Sequence, residues 1–433
     1  RELEDLLKEA DIISINTPLN KETYHLITYD RLKLMKPTAT LVNTGRGAVI
    51  KEEDLVKALK ERLIYSAGLD VFEFEPDINQ ELIKKFDLSD MMGVMSNFHQ
   101  QIRNSIEYLK NTPKVEDSYR INKIIIAGMG GSAISGDLAR SYIAKYHTEI
   151  NIPIYVLRNY DLPEWVDQHT MVLCVSYSGN TEETLSVISQ AKGKTQYIVA
   201  VASGGKLIEF CEQNGINFIQ VPGGYQPRAA LGYLFFAVYN FLISNFCKVC
   251  TISRSMIEEQ ILADYLQIKS NEYSKISSNN FALNLATKIH NKQVILYSSS
   301  DVLDAVNLRW RGQLQENSKN LAFGNFVPEM NHNEINSLKF PKNIIENTFF
   351  LILVDKNDHP SNRKRLESVH KIILEITPNV QVIESKEEMP LIRIFDLIYL
   401  ADWVSFYLAI LNGQDPTEIE LISRLKQIMS ENK

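Results

Sequence analysis

Ile124-Ile125-Ile126-Ala127-Gly128-Met129-Gly130-Gly131-Ser132 decides the fold. A short apolar run ends in a glycine turn and opens into a helical pattern, which is the strand–turn–helix step of a parallel α/β sheet. A second step of the same kind begins at Met171 and leads through Ser176-Tyr177-Ser178-Gly179-Asn180-Thr181 into another helical pattern. At such turns unpaired backbone N–H groups and the positive end of a helix dipole meet, so an anion is favoured. Gly130, Gly131, Ser132, Ser176, Ser178 and Thr181 therefore read as one phosphate cradle. Neither turn carries the G-x-x-x-x-G-K-[ST] lysine of nucleotide-binding loops, and a single phosphate on a small molecule fits better than a triphosphate with magnesium.

Working outward, further strands are expected at Ile154 to Leu157, Ile198 to Ala202 and Phe218 to Val221, with helices between them. That alternation predicts a doubly wound parallel sheet covered on both faces. A helical stretch from Ala229 to about Lys288 leads to a second unit with strands at Val294 to Tyr297, Thr348 to Val354 and Val380 to Ile383. Helices from Leu391 to Met429 close the chain. Upstream, Asp11 to Thr17, Thr38 to Thr44 and Ser66 to Val71 alternate with helical patterns as βαβαβ, a partial Rossmann-like segment. The expected division is 1–76, a helical lead-in over 77–115, a first sandwich over 116–250, a helical connector over 251–288, and a second sandwich over 289–433.

Composition narrows the function. The 433 residues are 45% hydrophobic and 23% charged, with net charge -7, which is globular and gives no basic footprint for nucleic acid. The apolar run Ala229 to Ile243 is interrupted by Tyr233, Tyr239 and Asn240 and is expected as a buried helix, so no membrane span is expected. Four cysteines suit a reducing cytoplasm without disulfides. Cys247-Lys248-Val249-Cys250 lacks the other half of a four-ligand zinc site and reads as two thiols at a helix end. The eight histidines show no H-x-H or H-E-x-x-H spacing, so neither a metal nor a cofactor is expected.

In the first segment, Asn43-Thr44-Gly45-Arg46-Gly47 and Gly68-Leu69-Asp70-Val71-Phe72-Glu73-Phe74-Glu75-Pro76 resemble the distal nucleotide domain of D-2-hydroxyacid dehydrogenases over residues 1 to 76. The resemblance implies that Arg46 orients a substrate carboxylate, Asp70 lies near a nicotinamide and Glu75 supports a histidine. The pyrophosphate-binding G-x-G-x-x-G turn would precede Arg1, and the family's T-P-H-type histidine is missing. His99 lies in an amphipathic helical context instead. An NAD-dependent dehydrogenase is thus the weaker alternative. Gly128-Met129-Gly130-Gly131-Ser132-Ala133 also satisfies G-x-G-x-x-A, but Leu157 is followed by Arg158-Asn159-Tyr160 where the ribose-binding acid should stand.

Ser178 or Thr181 alone would serve as a helix cap, but three hydroxyl residues at one turn exceed that need. The run from Ser176 to Thr184 resembles the signature of sugar isomerase domains. Three later motifs, taken singly, have ordinary readings. Arg228 in Pro227-Arg228-Ala229-Ala230 would pair with a carboxylate, Glu316 in Gln315-Glu316-Asn317-Ser318-Lys319 would face solvent, and His332 in Pro328-Glu329-Met330-Asn331-His332 would be a surface residue. Their joint order, with Asp415-Pro416-Thr417 and Lys426 near the end, resembles the bifunctional phosphoglucose/phosphomannose isomerases from about Phe86 onward.

That resemblance implies two sugar-isomerase sandwiches, hexose 6-phosphate substrates and a homodimer in which the histidine loop completes the neighbouring site. It implies Glu316 as the base between C1 and C2, Arg228 as the cation beside the enediolate, His332 and Lys426 in ring opening, and Thr417 in steering rotation about C2–C3. Sugar isomerase domains also occur as non-catalytic phosphosugar sensors, which is the other alternative.

Overall fold

The computed structural model describes residues 3–71, 78, 80–249 and 252–431. The chain divides into two units, Arg1–Asp77 and Ile78–Lys433. In the first, strands β1 (Ile12–Ile15), β2 (Thr40–Asn43) and β3 (Ser66–Leu69) form a parallel sheet in that order. Helices Leu3–Glu9, Tyr29–Leu32 and Glu52–Lys60 accompany the strands. Leu7, Leu32, Leu41, Val49, Leu55 and Ala58 close the small core.

In the second unit, β4 (Lys123–Ala127), β5 (Ile154–Leu157), β6 (Thr170–Val175), β7 (Ile198–Ala202) and β8 (Asn217–Gln220) form a parallel sheet in the order β5-β4-β6-β7-β8. Every residue of β6 and β7 is buried, as their continuous apolar runs require of strands covered on both faces. The order reverses between β4 and β6, and in open α/β sheets ligands bind at the carboxyl ends beside such a reversal. The glycine and hydroxyl turns stand at those two ends. Strands β9 (Gln293–Ser299), β10 (Ala322–Val327), β11 (Thr348–Val354) and β12 (Val380–Glu384) make a second parallel sheet, ordered β10-β9-β11-β12. One continuous apolar core runs from Ile124, Ile126 and Leu173 of the first sheet to Leu296, Phe349 and Leu351 of the second.

Several expectations are corrected. Strand β10 has no counterpart in the sequence reading, because Gly324 and Asn325 interrupt its apolar run; a Cβ at Gly324 would lie 2.5 Å from the Leu296 carbonyl oxygen of β9. The helical stretch after Ala229 is three helices, Leu231–Phe246, Ile252–Tyr273 and Phe281–Ile289, after a short 3-10 turn at Pro227–Ala230. The closing helices are Pro390–Leu411 and Glu420–Glu431, separated by the segment 412–419. Pro227–Phe246 and Pro390–Leu411 are long and apolar enough to cross a bilayer, but most of each is buried within the protein as core helix. Cys247 is disulfide-bonded, contrary to the reading of two thiols, and its partner lies outside the described residues. A low cysteine count describes the compartment and says nothing about local proximity. Cys174 and Cys211 are free and buried.

Candidate active site

At the end of β4, Met129 precedes helix Gly130–Tyr146 without any side-chain cap, and the Ser132 and Ala133 N–H groups turn back to the Met129 carbonyl at 3.0 and 3.3 Å. The Gly130 and Gly131 amides have no acceptor among the described residues. Ser132 Oγ instead reaches the second turn, accepting the Tyr177 N–H at 3.1 Å. A Cβ at Gly128 would meet the Val175 carbonyl oxygen at 2.7 Å, so only glycine lets the two turns close this far. At the end of β6, Ser176 and Thr181 share a hydroxyl–hydroxyl hydrogen bond of 2.9 Å, and Ser178 Oγ accepts the Asn180 N–H at 3.3 Å. Thr181 occupies the cap position of helix Glu182–Ala191 without capping it. Its hydroxyl is therefore spent within the turn, not on the helix. Gly179 takes φ +67° and packs against the Gly204 backbone.

Arg228 connects this cradle to a carboxylate. Gly131 lies against it so closely that a Cβ there would be 3.1 Å from the Arg228 backbone nitrogen. Its side chain is 2% exposed and pairs through Nη1 with Glu316 Oε2 at 3.3 Å, while Glu316, the last residue of helix Leu303–Glu316, keeps 31% exposure. Nε donates to Asn317 Oδ1 at 2.7 Å, and Nη2 donates to the carbonyls of Pro416 and Thr417, both at 2.8 Å. Burial lowers the arginine's pKa and the Glu316 carboxylate opposes that. The Thr417 hydroxyl oxygen is buried without a hydrogen-bond partner.

A supporting layer escaped the sequence reading. Arg309, 3% exposed, donates to the Arg228 carbonyl at 2.8 Å and pairs with buried Asp402 at 2.9 Å, which also accepts from Gln313 Nε2 at 2.6 Å. Burial raises the Asp402 pKa, and Arg309 and Gln313 oppose it. Asn317 Nδ2 donates to Ser405 Oγ at 3.0 Å. The available signal was Asp402 itself, a charge inside the apolar helix Pro390–Leu411 that demands a cation.

His332 and Lys426 are not brought to this cluster. His332 ends a short 3-10 turn, Glu329–His332, and is exposed; Lys426 lies on helix Glu420–Glu431, whose residues are all exposed. Neither forms a hydrogen bond or ion pair with Glu316 or Arg228. His99 belongs to helix Phe98–Asn111, its Nδ1 3.1 Å from the Ser96 carbonyl. Where a ribose-binding acid would stand, Arg158 follows β5 and pairs with Asp137. In the first unit, Arg46 donates to the Gly45 carbonyl and Asp70 directly follows β3, while Glu75 lies outside the described residues. Away from these residues, ligand-type atoms of His147, Glu149 and Cys247 lie within 4.8 Å of one another, though the disulfide at Cys247 removes its thiolate.

Over 347 residues the chain is 40% identical to the bifunctional phosphoglucose/phosphomannose isomerase of Caldicellulosiruptor bescii, covering 79% of this chain and all of that protein. The chain belongs to the bifunctional phosphoglucose/phosphomannose isomerase family. The bacterial phospho-glucose isomerase C-terminal SIS domain matches residues 278–429, and the NAD-binding domain of D-isomer specific 2-hydroxyacid dehydrogenases matches residues 1–92. There the chain is 60% identical over 83 residues to the glyoxylate reductase of Thermococcus litoralis, 19% of this chain and only 25% of the reductase. The crystal structure of tagatose-6-phosphate ketose/aldose isomerase from Escherichia coli shares the fold, with TM-score 0.57 at 16% identity over 76% of this chain and 93% of that one. The two isomerase sandwiches and the preceding Rossmann-like piece are thus the architecture that the sequence indicated.

Proposed function

We propose that the protein interconverts glucose 6-phosphate or mannose 6-phosphate with fructose 6-phosphate. The observation that carries this reading is the continuity through Arg228, whose backbone abuts the phosphate turn at Gly131 and whose guanidinium pairs with Glu316. Gly130, Gly131, Ser132, Ser176, Ser178 and Thr181 hold the phosphate, leaving the sugar chain to extend toward Glu316. The carboxylate removes the proton from one of C1 and C2 and returns it to the other, and the buried guanidinium stabilises the negative charge that develops on the enediolate oxygens. Being already fixed by four hydrogen bonds, Arg228 needs no reorganisation as that charge appears. The unpartnered Thr417 hydroxyl is suited to a sugar hydroxyl and supports its role in steering the C2–C3 bond.

Ring opening is assigned to His332 and Lys426. Their exposed positions support a homodimer in which the histidine loop reaches the neighbouring site, and sedimentation tests that assembly. Cytoplasmic residence and a place in glycolysis and gluconeogenesis belong to the same proposal, supported by the substrate class; cell fractionation tests the former. Incubation with fructose 6-phosphate tests the reaction. Formation of glucose 6-phosphate is expected, with kcat falling about 10³-fold in Glu316→Gln, as for loss of a general base. Phosphosugar binding without turnover in the wild type would establish the sensor instead.

A further inference from the structure

Three residues beyond Glu316, Lys319 adopts a left-handed backbone with φ +54°, uncommon for a side chain of this size. That turn sends its ammonium to two main-chain acceptors, the Asn317 carbonyl at 3.0 Å and the Asp415 carbonyl at a short distance. The second acceptor starts the segment that holds Arg228. Asp415 Oδ1 accepts the Thr417 N–H at 2.7 Å, and the Pro416 and Thr417 carbonyls receive the Arg228 guanidinium. Asn412 Nδ2 donates to the Ser318 carbonyl at 2.9 Å, giving the same segment a further tie to the end of helix Leu303–Glu316. Arg228 and Lys319 thus grip successive carbonyls of one loop from two sides.

We propose that Lys319 is a positioning residue for the isomerisation: through the Asp415 carbonyl it holds the 415–417 segment in place, and through that segment it aims the Arg228 guanidinium at the reacting carbons. The inference rests on the isomerase reading of this site. The charged groups facing Lys319 are Arg228, which opposes its protonation, and Asp415, Glu418 and Glu316, which favour it. Burial, followed by Arg228, brings its pKa down to about 8. The ammonium makes charge-assisted bonds, which weaken when the group becomes a neutral amine. Relief of the burial cost outweighs that weakening, as the lowered pKa records, so the closed segment is retained as pH rises through that value.

Two measurements test this, each on the full chain with Lys319→Met and Lys319→Arg. Wild-type kcat and KM for fructose 6-phosphate are read at neutral pH, where Lys319 is an ammonium for the greater part. Lys319→Met should lower kcat about tenfold with little change in KM, whereas Lys319→Arg should recover most of the lost kcat. An unchanged kcat in Lys319→Met, or equal losses in both variants, overturns the proposal, while absence of wild-type turnover overturns the isomerase reading instead. Amide exchange over residues 414–418, corrected for its intrinsic pH dependence, judges Lys319 without turnover. Protection should be lower in Lys319→Met than in the wild type; equal protection in the two overturns the clasp.

Discussion

The two sheets of the second unit reverse strand order in the same way, β4 against β6 and β9 against β11, yet treat the resulting crevice in opposite ways. In the first, glycines and hydroxyls leave donors without charge, and the cation behind them, Arg228, is turned to Glu316. In the second, acids stand at the strand ends and each is occupied. Lys145 pairs with Asp301 at 2.5 Å, Arg140 with Asp304 at 2.7 Å and Arg393 with Asp355 at 2.7 Å, while Ser299 donates to Asp358. Arg140 and Lys145 come from helix Gly130–Tyr146, whose other end forms the glycine turn. One crevice is open to an anion and the other is closed by the protein's own cations. The shared topology therefore supplies a location, and the residues at the strand ends decide whether it becomes a site or a joint.

The sharpest way to break this contrast is Arg393→Met. Arg393 and Asp355 are 1% and 5% exposed, so removing the arginine strands a buried carboxylate and is expected to cost about 3–5 kcal/mol of stability in urea unfolding. The variant's KM for fructose 6-phosphate should stay near the wild-type value wherever the protein remains folded. Ser132→Ala should do the reverse. By removing the acceptor of the Tyr177 N–H and a phosphate donor, it should raise KM about tenfold with a stability loss near 1 kcal/mol, read by initial rates and the same denaturation curves. A Ser132→Ala variant with unaltered KM would put the phosphate elsewhere. The smallest effect is expected for Lys145→Met. Its pair with Asp301 is about one-third exposed on both sides, so the loss should be below about 1 kcal/mol and should shrink further in high salt.

Much of this arrangement was legible because it is local. The strands that lead into the two phosphate turns show as apolar runs ending in glycine or serine, and the sequence reading matched the bounds of β5, β7 and β11. Strand β10 was hidden because its glycine answers to a neighbouring strand, which no periodicity records. The pairing of Arg309 with Asp402 spans 93 positions and was equally hidden, although a buried acid in an apolar helix announces that some partner exists. Arg228 and Glu316 were anticipated by family resemblance, and their contact became visible only in three dimensions. Lys319 was quoted within its motif but acquired a role only once its carbonyl partners were known. His332 and Lys426 remain apart from the cluster within one chain.

Helix Gly130–Tyr146 spans 17 residues, a rod of about 25 Å, with its amide end at the anion cradle and its cationic end stitched to the second sheet. Because this rod and the shared apolar core join both sheets, residues 78–433 have no seam along which one half can melt before the other. Heat or urea should therefore meet a single cooperative body there, and a sugar phosphate, if it binds the glycine turn as proposed, would lend its binding energy to the integrity of both halves.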